Sequence, residues 1–172
     1  MSSQSDPVDA WLDAWRGELS GVVLPSSELT KRIMFVFSAL EATVRRELAE
    51  LELTAAEFDI IVALRRGGAP YRMKPNQLAR SLMLSSGGTT NVTHRLVSRG
   101  LIVREGDPAD ARSTWLQLTP EGVELAERAV RANAAAHDAL FRDTPPAVVE
   151  TATAALRELF ATTAVLGANQ AR

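Results

Sequence analysis

The 172-residue sequence contains no cysteine, which excludes a disulfide framework, a thiolate nucleophile and a thiolate-held metal. It has only two histidines, His94 and His137, and two isolated imidazoles do not make a metal site. Aromatic residues are scarce at 5%, whereas 46% of the residues are apolar. That balance fits a helix-rich protein with a core of Leu, Val and Ala. No apolar run reaches membrane-spanning length, and the N-terminus lacks a charged-then-apolar signal pattern. A cytoplasmic protein with no membrane partner is expected. Nucleophile motifs, Gly-rich catalytic loops and paired catalytic carboxylates are missing too, so neither an enzyme nor a bound cofactor is expected.

One absence is local. From Ile60 to Arg104 there is no Asp or Glu, while the same 45 residues hold Arg65, Arg66, Arg72, Lys74, Arg80, Arg95, Arg99 and Arg104. The chain overall is slightly acidic, net −2 with pI near 5.7, so everything outside that window sums to −10. A lobe that binds a polyanion, set on an acidic body, explains the asymmetry.

The pattern inside and just after the window is a helix–turn–helix followed by a two-stranded wing. A helix is expected over Lys74 to Leu82, with Pro75 near its start where a missing N–H costs nothing. Leu84, Ser85 and Ser86 form a turn. A second helix from Gly87 to Arg99 stops at Gly100, which suits the left-handed residue past a helix end. Leu101 to Arg104 reads as a strand, Gly106 to Asp110 as a turn, and Ser113 to Leu118 as the returning strand. A helix for the major groove with a hairpin beside it is a DNA-reading device.

Long helices flank this centre. Asp6 and Pro7 cap and start a helix carrying Trp11 and Trp15, four residues apart and so on one face. Gly21 to Ser27 is a connector, and Ser27 opens an amphipathic helix through Ile33, Phe37, Leu40, Val44, Leu48 and Leu51. Thr54 and Glu57 match a capping box for a helix ending at Gly67-Gly68. Ala69 to Met73 is a loop. Thr119 and Pro120 open a helix to Phe141, and Thr144-Pro145-Pro146 breaks it and caps a last helix from Ala147 to about Leu166. The apolar surface of these helices exceeds what the central lobe covers, which predicts a homodimer. The expected fold is mainly α with a small β-wing, divided into 1–53 (extra helix and first dimerisation helix), 54–119 (winged helix–turn–helix) and 120–172 (C-terminal dimerisation helices).

This order, with Gly100-Leu101-Ile102-Val103-Arg104, Asp107-Pro108-Ala109-Asp110-Ala111-Arg112-Ser113 and Leu118-Thr119-Pro120-Glu121-Gly122, resembles the MarR family of transcriptional regulators over roughly residues 28 to 166. The wing motif is its most specific part. The resemblance implies a homodimer on pseudo-palindromic double-stranded DNA, with Arg112 in the minor groove and Asp110 holding the wing in shape. The DNA-binding set is then Lys74, Ser85, Ser86, Thr89, Thr90, Asn91, His94, Arg95, Asp110 and Arg112. Thr and Asn would read base edges, while Lys74, Arg80, Arg95 and Arg99 are phosphate contacts or scaffold pairs. Asn91-Val92-Thr93-His94-Arg95 departs from relatives that carry Arg after the Asn, which leaves the operator sequence open.

The extra helix with Trp15, the run Phe58 to Arg66 and the loop Ala69 to Arg72 are similar to the urate-responsive subgroup of the family. That similarity implies a ligand set of Trp15, Asp59, Arg66 and Arg104. The chemistry is coherent for a flat purine anion: Trp15 stacks on it, Asp59 accepts from ring N–H groups, and Arg66 meets the anionic edge with a fork of donors. The expected function is a repressor that leaves its operator on binding a small aromatic anion, urate or a related purine. Two rivals keep the fold: a sensor of a phenolic carboxylate or drug-like ligand, and an interaction protein without DNA affinity.

Overall fold

The computed structural model describes residues 6–82, 86–108 and 110–163. Packing divides the chain between Thr43 and Val44, inside its second helix. In the first unit, α1 (Pro7–Glu18) begins as expected. Asp6 accepts from the Val8 and Asp9 N–H groups, and the Asp9 carboxylate accepts from the Asp6 N–H. That reciprocal box satisfies donors the first turn leaves over. Val8 and Leu12 are buried, whereas Trp11 and Trp15 are 42% and 44% exposed. α2 (Pro25–Glu50) starts two residues before Ser27, since proline suits a first helical position. Arg32 on α2 bonds Asp6 and Asp9, and Arg16 bonds Asp13 and Glu28. The Arg32 pairs and the Arg16–Glu28 pair fasten α1 to the first turns of α2. Ile33, Met34, Phe35, Val36 and Phe37, five apolar residues in a row, all remain exposed.

The second unit is built around α3 (Ala55–Arg66), whose Thr54–Glu57 capping box is present in full. Ile60, Ile61 and Leu64 from α3 join Leu48, Leu53, Leu78, Leu96, Ile102, Leu116 and Leu118 in one buried core. α4 (Pro75–Leu82) and α5 (Ser86–Ser98) are the two helices expected from the pattern. Gly100 takes φ +71°; its N–H reaches Val97 O and the Leu101 N–H reaches Leu96 O, closing α5 in a Schellman motif.

The sheet differs from expectation. β2 (Ile102–Asp107) and β3 (Asp110–Leu118) are longer than the strands read from the pattern. Glu105 and Gly106, expected near or in the turn, pair with Trp115 and Thr114, and the register shifts between Gly106 and Asp107. Both are exposed, so they belong to a solvent-facing hairpin rather than to the turn. A third strand, β1 (Arg72–Met73), lies where a loop was expected and pairs with Gln117 and Leu116, giving the order β1-β3-β2. Two residues are too few for any alternation to be visible in a sequence.

α6 (Pro120–Phe141) matches its expected range, with Thr119 accepting from the Gly122 N–H. α7 (Pro146–Thr162) is shorter than expected: its N-cap is Pro145 without any side-chain cap bond, and it closes at Thr163, not near Leu166. Thr144 therefore does not cap it. No residue of α7 is buried.

Candidate nucleic-acid interface and ligand residues

α5, the second helix of the helix–turn–helix, is held by its second half. Leu96 and Thr93 are buried beneath it, while Asn91, His94 and Arg95 are exposed on it. Arg95 Nε lies 3.4 Å from Glu57 Oε1, and Arg99 Nη1 lies 3.5 Å from the same oxygen and 2.9 Å from Glu52 O. Glu57 is itself buried, and its other oxygen accepts from the Thr54 N–H and hydroxyl. Burial raises the pKa of this carboxyl, but the Thr54 bonds and the charges of Arg95 and Arg99 outweigh it, so the group sits below its ordinary value. One carboxylate thus caps α3 and anchors α5. Glu57 was visible in the sequence only as a capping residue, because its arginine partners lie about 40 positions further on.

Lys74, expected at a phosphate, places Nζ 2.8 Å from the largely buried Asp107 Oδ2. The outer face of the sheet carries Trp115, with the Arg72 guanidinium 4.6 Å and Lys74 Nζ 5.1 Å from its ring centre. Arg65 bonds Glu127 on α6 through two nitrogens, at 3.0 and 2.7 Å, and lies over Tyr71. The acid-free window is therefore partly neutralised by acids from outside it: Glu57, Asp107 and Glu127. Arg66, Arg72, Arg80 and Arg104 are exposed and, among the described residues, outside any ion pair.

Ser85 lies outside the described residues, as do the side chains of Ser86, Thr89 and Arg112. Thr90 and Asp110 are exposed. Asp110 faces Asp107 across the hairpin end.

Of the four ligand candidates, Trp15 belongs to the first unit, and Asp59, Arg66 and Arg104 belong to the second. Asp59 and Arg66 both fall within α3, two turns apart and so on one side, with about 10 Å of axis between them. Asp59 is exposed as a residue, yet desolvation of its carboxyl raises its pKa above the ordinary value. Arg66 lines an open groove of about 510 Å³ with Val62, Arg65, Glu127, Val130 and Arg131. Arg104 is exposed on β2, opposite Leu116. Trp15 packs edge-to-face on Trp11 at 6.1 Å between ring centres. The two rings line a cavity with Leu12, Val22, Val23, Ser26, Ser27, Thr30 and Lys31. Sequence reasoning missed the share of Trp11 and Lys31 in that cavity. The four-residue spacing of the tryptophans was its one available signal.

Among the described residues, no helix is long and apolar enough to cross a membrane, and no cluster of His, Asp and Glu fits a metal.

A family profile described as the MarR family matches residues 51–113, from the end of α2 through the wing tip. The transcriptional regulator PecS of Dickeya dadantii is 32% identical over 116 residues, which cover 67% of this chain and 70% of PecS. Two solved structures share the fold. A MarR mutant from E. coli complexed with operator DNA superposes with a TM-score of 0.67 at 23% identity, over 84% of this chain and 96% of that one. NadR in complex with 4-hydroxyphenylacetate gives 0.60 at 24% identity, over 78% and 94%. Helix order, sheet order, the wing motif and these likenesses agree: the chain belongs to the MarR family of transcriptional regulators.

Proposed function

We propose that the protein is a homodimeric repressor that binds a pseudo-palindromic operator and leaves it when a small aromatic anion binds. The observation that carries the DNA half is the exposed face of α5, with Asn91, His94 and Arg95 presented beside a β2–β3 wing. Asn91, with Thr89 and Thr90, supplies side chains able to bond base edges in the major groove, and Arg112 enters the minor groove. Arg80, exposed on α4, is a phosphate contact, whereas Arg99 and Lys74 serve mainly to brace α5 and the wing. The related MarR mutant has been captured on operator DNA, which supports this reading.

Dimerisation follows from unpartnered apolar surface. The exposed run Ile33 to Phe37 on α2, Val130, Leu140 and Phe141 on α6, and Val148, Val149, Leu156 and Phe160 on α7 are more than a soluble chain leaves to water. Two recognition helices would then enter successive major grooves about one helical turn apart.

For the effector, Trp15, Asp59, Arg66 and Arg104 supply a stacking surface, an acceptor and two forked cations, a set that suits urate or a related purine anion. The desolvated Asp59 carboxyl is the kind of perturbed group that ligand sites contain. A phenolic carboxylate is the second reading, favoured by the single lysine that lines the Trp15 cavity.

The test of the DNA half is a salt series of anisotropy titrations on the chain's own upstream intergenic DNA. Tight binding whose logarithm falls linearly with log salt, weakened by Asn91→Ala and by Arg112→Ala, is expected. Arg112→Ala should leave the dimer intact. Affinity independent of salt and of both substitutions would favour an interaction protein without DNA affinity.

A further inference from the structure

The cavity of the N-terminal unit lies outside the four-residue effector set except at Trp15. It is an open depression of about 340 Å³, near the small end of the ~300–1,000 Å³ range of ligand pockets, which suits a molecule of one or two rings. Its walls are chemically divided. Trp11, Leu12 and Trp15 come from α1 and Val22 and Val23 from the connector; Ser26, Ser27, Thr30 and Lys31 come from the first turns of α2.

Charge singles out the ligand class. Lys31 is the one charged residue of the lining. Four carboxylates close in sequence are committed elsewhere, Asp13 and Glu28 to Arg16, and Asp6 and Asp9 to Arg32, and Glu18, at the end of α1, is not part of the lining. The Lys31 ammonium rests over the Trp11 ring at 4.1 Å from its centre, so the cation already sits against the aromatic wall a ligand ring would meet. The Ser27 hydroxyl accepts from the Leu24 N–H and keeps its own proton to donate. A purine such as urate presents several ring N–H donors and needs strong acceptors, and this lining holds no carboxylate.

We propose that this cavity binds an aromatic monocarboxylate, its ring against Trp11 and Trp15 and its carboxylate on the Lys31 ammonium, with the hydroxyls of Ser27 and Thr30 in support. Lys31 is then the specificity-determining residue, because a neutral analogue leaves the lysine without its charge-assisted bond. The inference deepens the effector reading and rests on it only for the consequence at DNA; the binding itself stands on the cavity.

The test is calorimetric titration of the full-length protein, free of DNA, with phenylacetate, phenylacetamide and urate, accompanied by tryptophan emission. Phenylacetate should bind and perturb the emission, and the amide should bind at least about tenfold more weakly. Lys31→Met should cost phenylacetate a similar factor, and Lys31→Arg should retain most of the affinity. Thermal melting confirms that Lys31→Met, which keeps the aliphatic stem, remains folded. No binding of phenylacetate, equal binding of the amide, or affinity that depends on Arg66 and not on Lys31 would overturn the proposal. Operator binding by the unliganded protein, measured in parallel, reports on the regulator reading separately. A protein that binds phenylacetate through Lys31 but not DNA would keep the cavity and discard that reading.

Discussion

Gly122 ends the Leu-Thr-Pro-Glu-Gly run for a steric reason. A Cβ there would stand 2.1 Å from the Leu101 carbonyl oxygen, the same oxygen that accepts from the Thr119 N–H at 3.1 Å. The α6 start and the β2 start are therefore locked together through a backbone contact that no side chain can enter. Gly122→Ala should destabilise the protein by about 2 kcal/mol or more, read from urea denaturation; an unchanged midpoint would show that the contact is looser than described. Glu57 is the second residue on which much depends. Glu57→Gln should cost about 1–3 kcal/mol near neutral pH, since buried partners lose a charged acceptor. Its folded pKa is lowered, so its stabilisation is present above the ordinary carboxylate pKa and lost as pH falls through the folded value. The gap between wild type and Glu57→Gln should accordingly narrow on acidification. A gap constant from neutral pH down to about pH 3 would contradict the network.

At the scale of elements, what was legible in the sequence was what local chemistry specifies. Asp6, Thr54 and Thr119 mark helix starts, and Gly100 marks the end of α5, because a cap is satisfied within a few residues of itself. β1 was illegible since Arg72 and Met73 become a strand only by meeting Gln117 and Leu116. The wing was read too short because Glu105 is charged and Gly106 is a common turn residue, yet both are paired. The functional reading of Lys74 and Arg95 could not be completed from sequence, as Asp107 and Glu57 reach them through the fold. One element end went unnoticed. Glu52 adopts φ +53°, with the Leu53 N–H on Leu48 O and the Glu52 N–H on Ala49 O, a Schellman closure of α2 without glycine. Glu52→Gly should relieve that strain and raise stability by about 1 kcal/mol, seen as a higher melting temperature. A lower one would mean that chain entropy outweighs the strain.

For the whole molecule, the surplus of apolar helix surface and the divided charge carry the account. α7 buries none of its residues in the single chain, although Val148, Val149, Leu156 and Phe160 would otherwise be core-formers. The double change Val149→Glu and Phe160→Glu should shift the protein toward monomer in light scattering at micromolar concentration. It should also weaken operator binding, because two half-sites are then no longer engaged together. A dimer undisturbed by both charges would place the interface elsewhere. The acid-free window was a sound pointer to a basic lobe, but its meaning changes with the fold, since three of its cations brace the lobe against Glu57 and Asp107 and a fourth against Glu127. The cations left for DNA are fewer than the sequence counts.

One anisotropy experiment decides most directly: the protein on its own upstream intergenic DNA, titrated with urate and, separately, with phenylacetate. Tight, salt-sensitive binding released by at least one of the two anions is expected, with Trp15→Ala abolishing the release while leaving DNA affinity intact. Binding that neither anion disturbs, or release that survives Trp15→Ala, would contradict the proposed function.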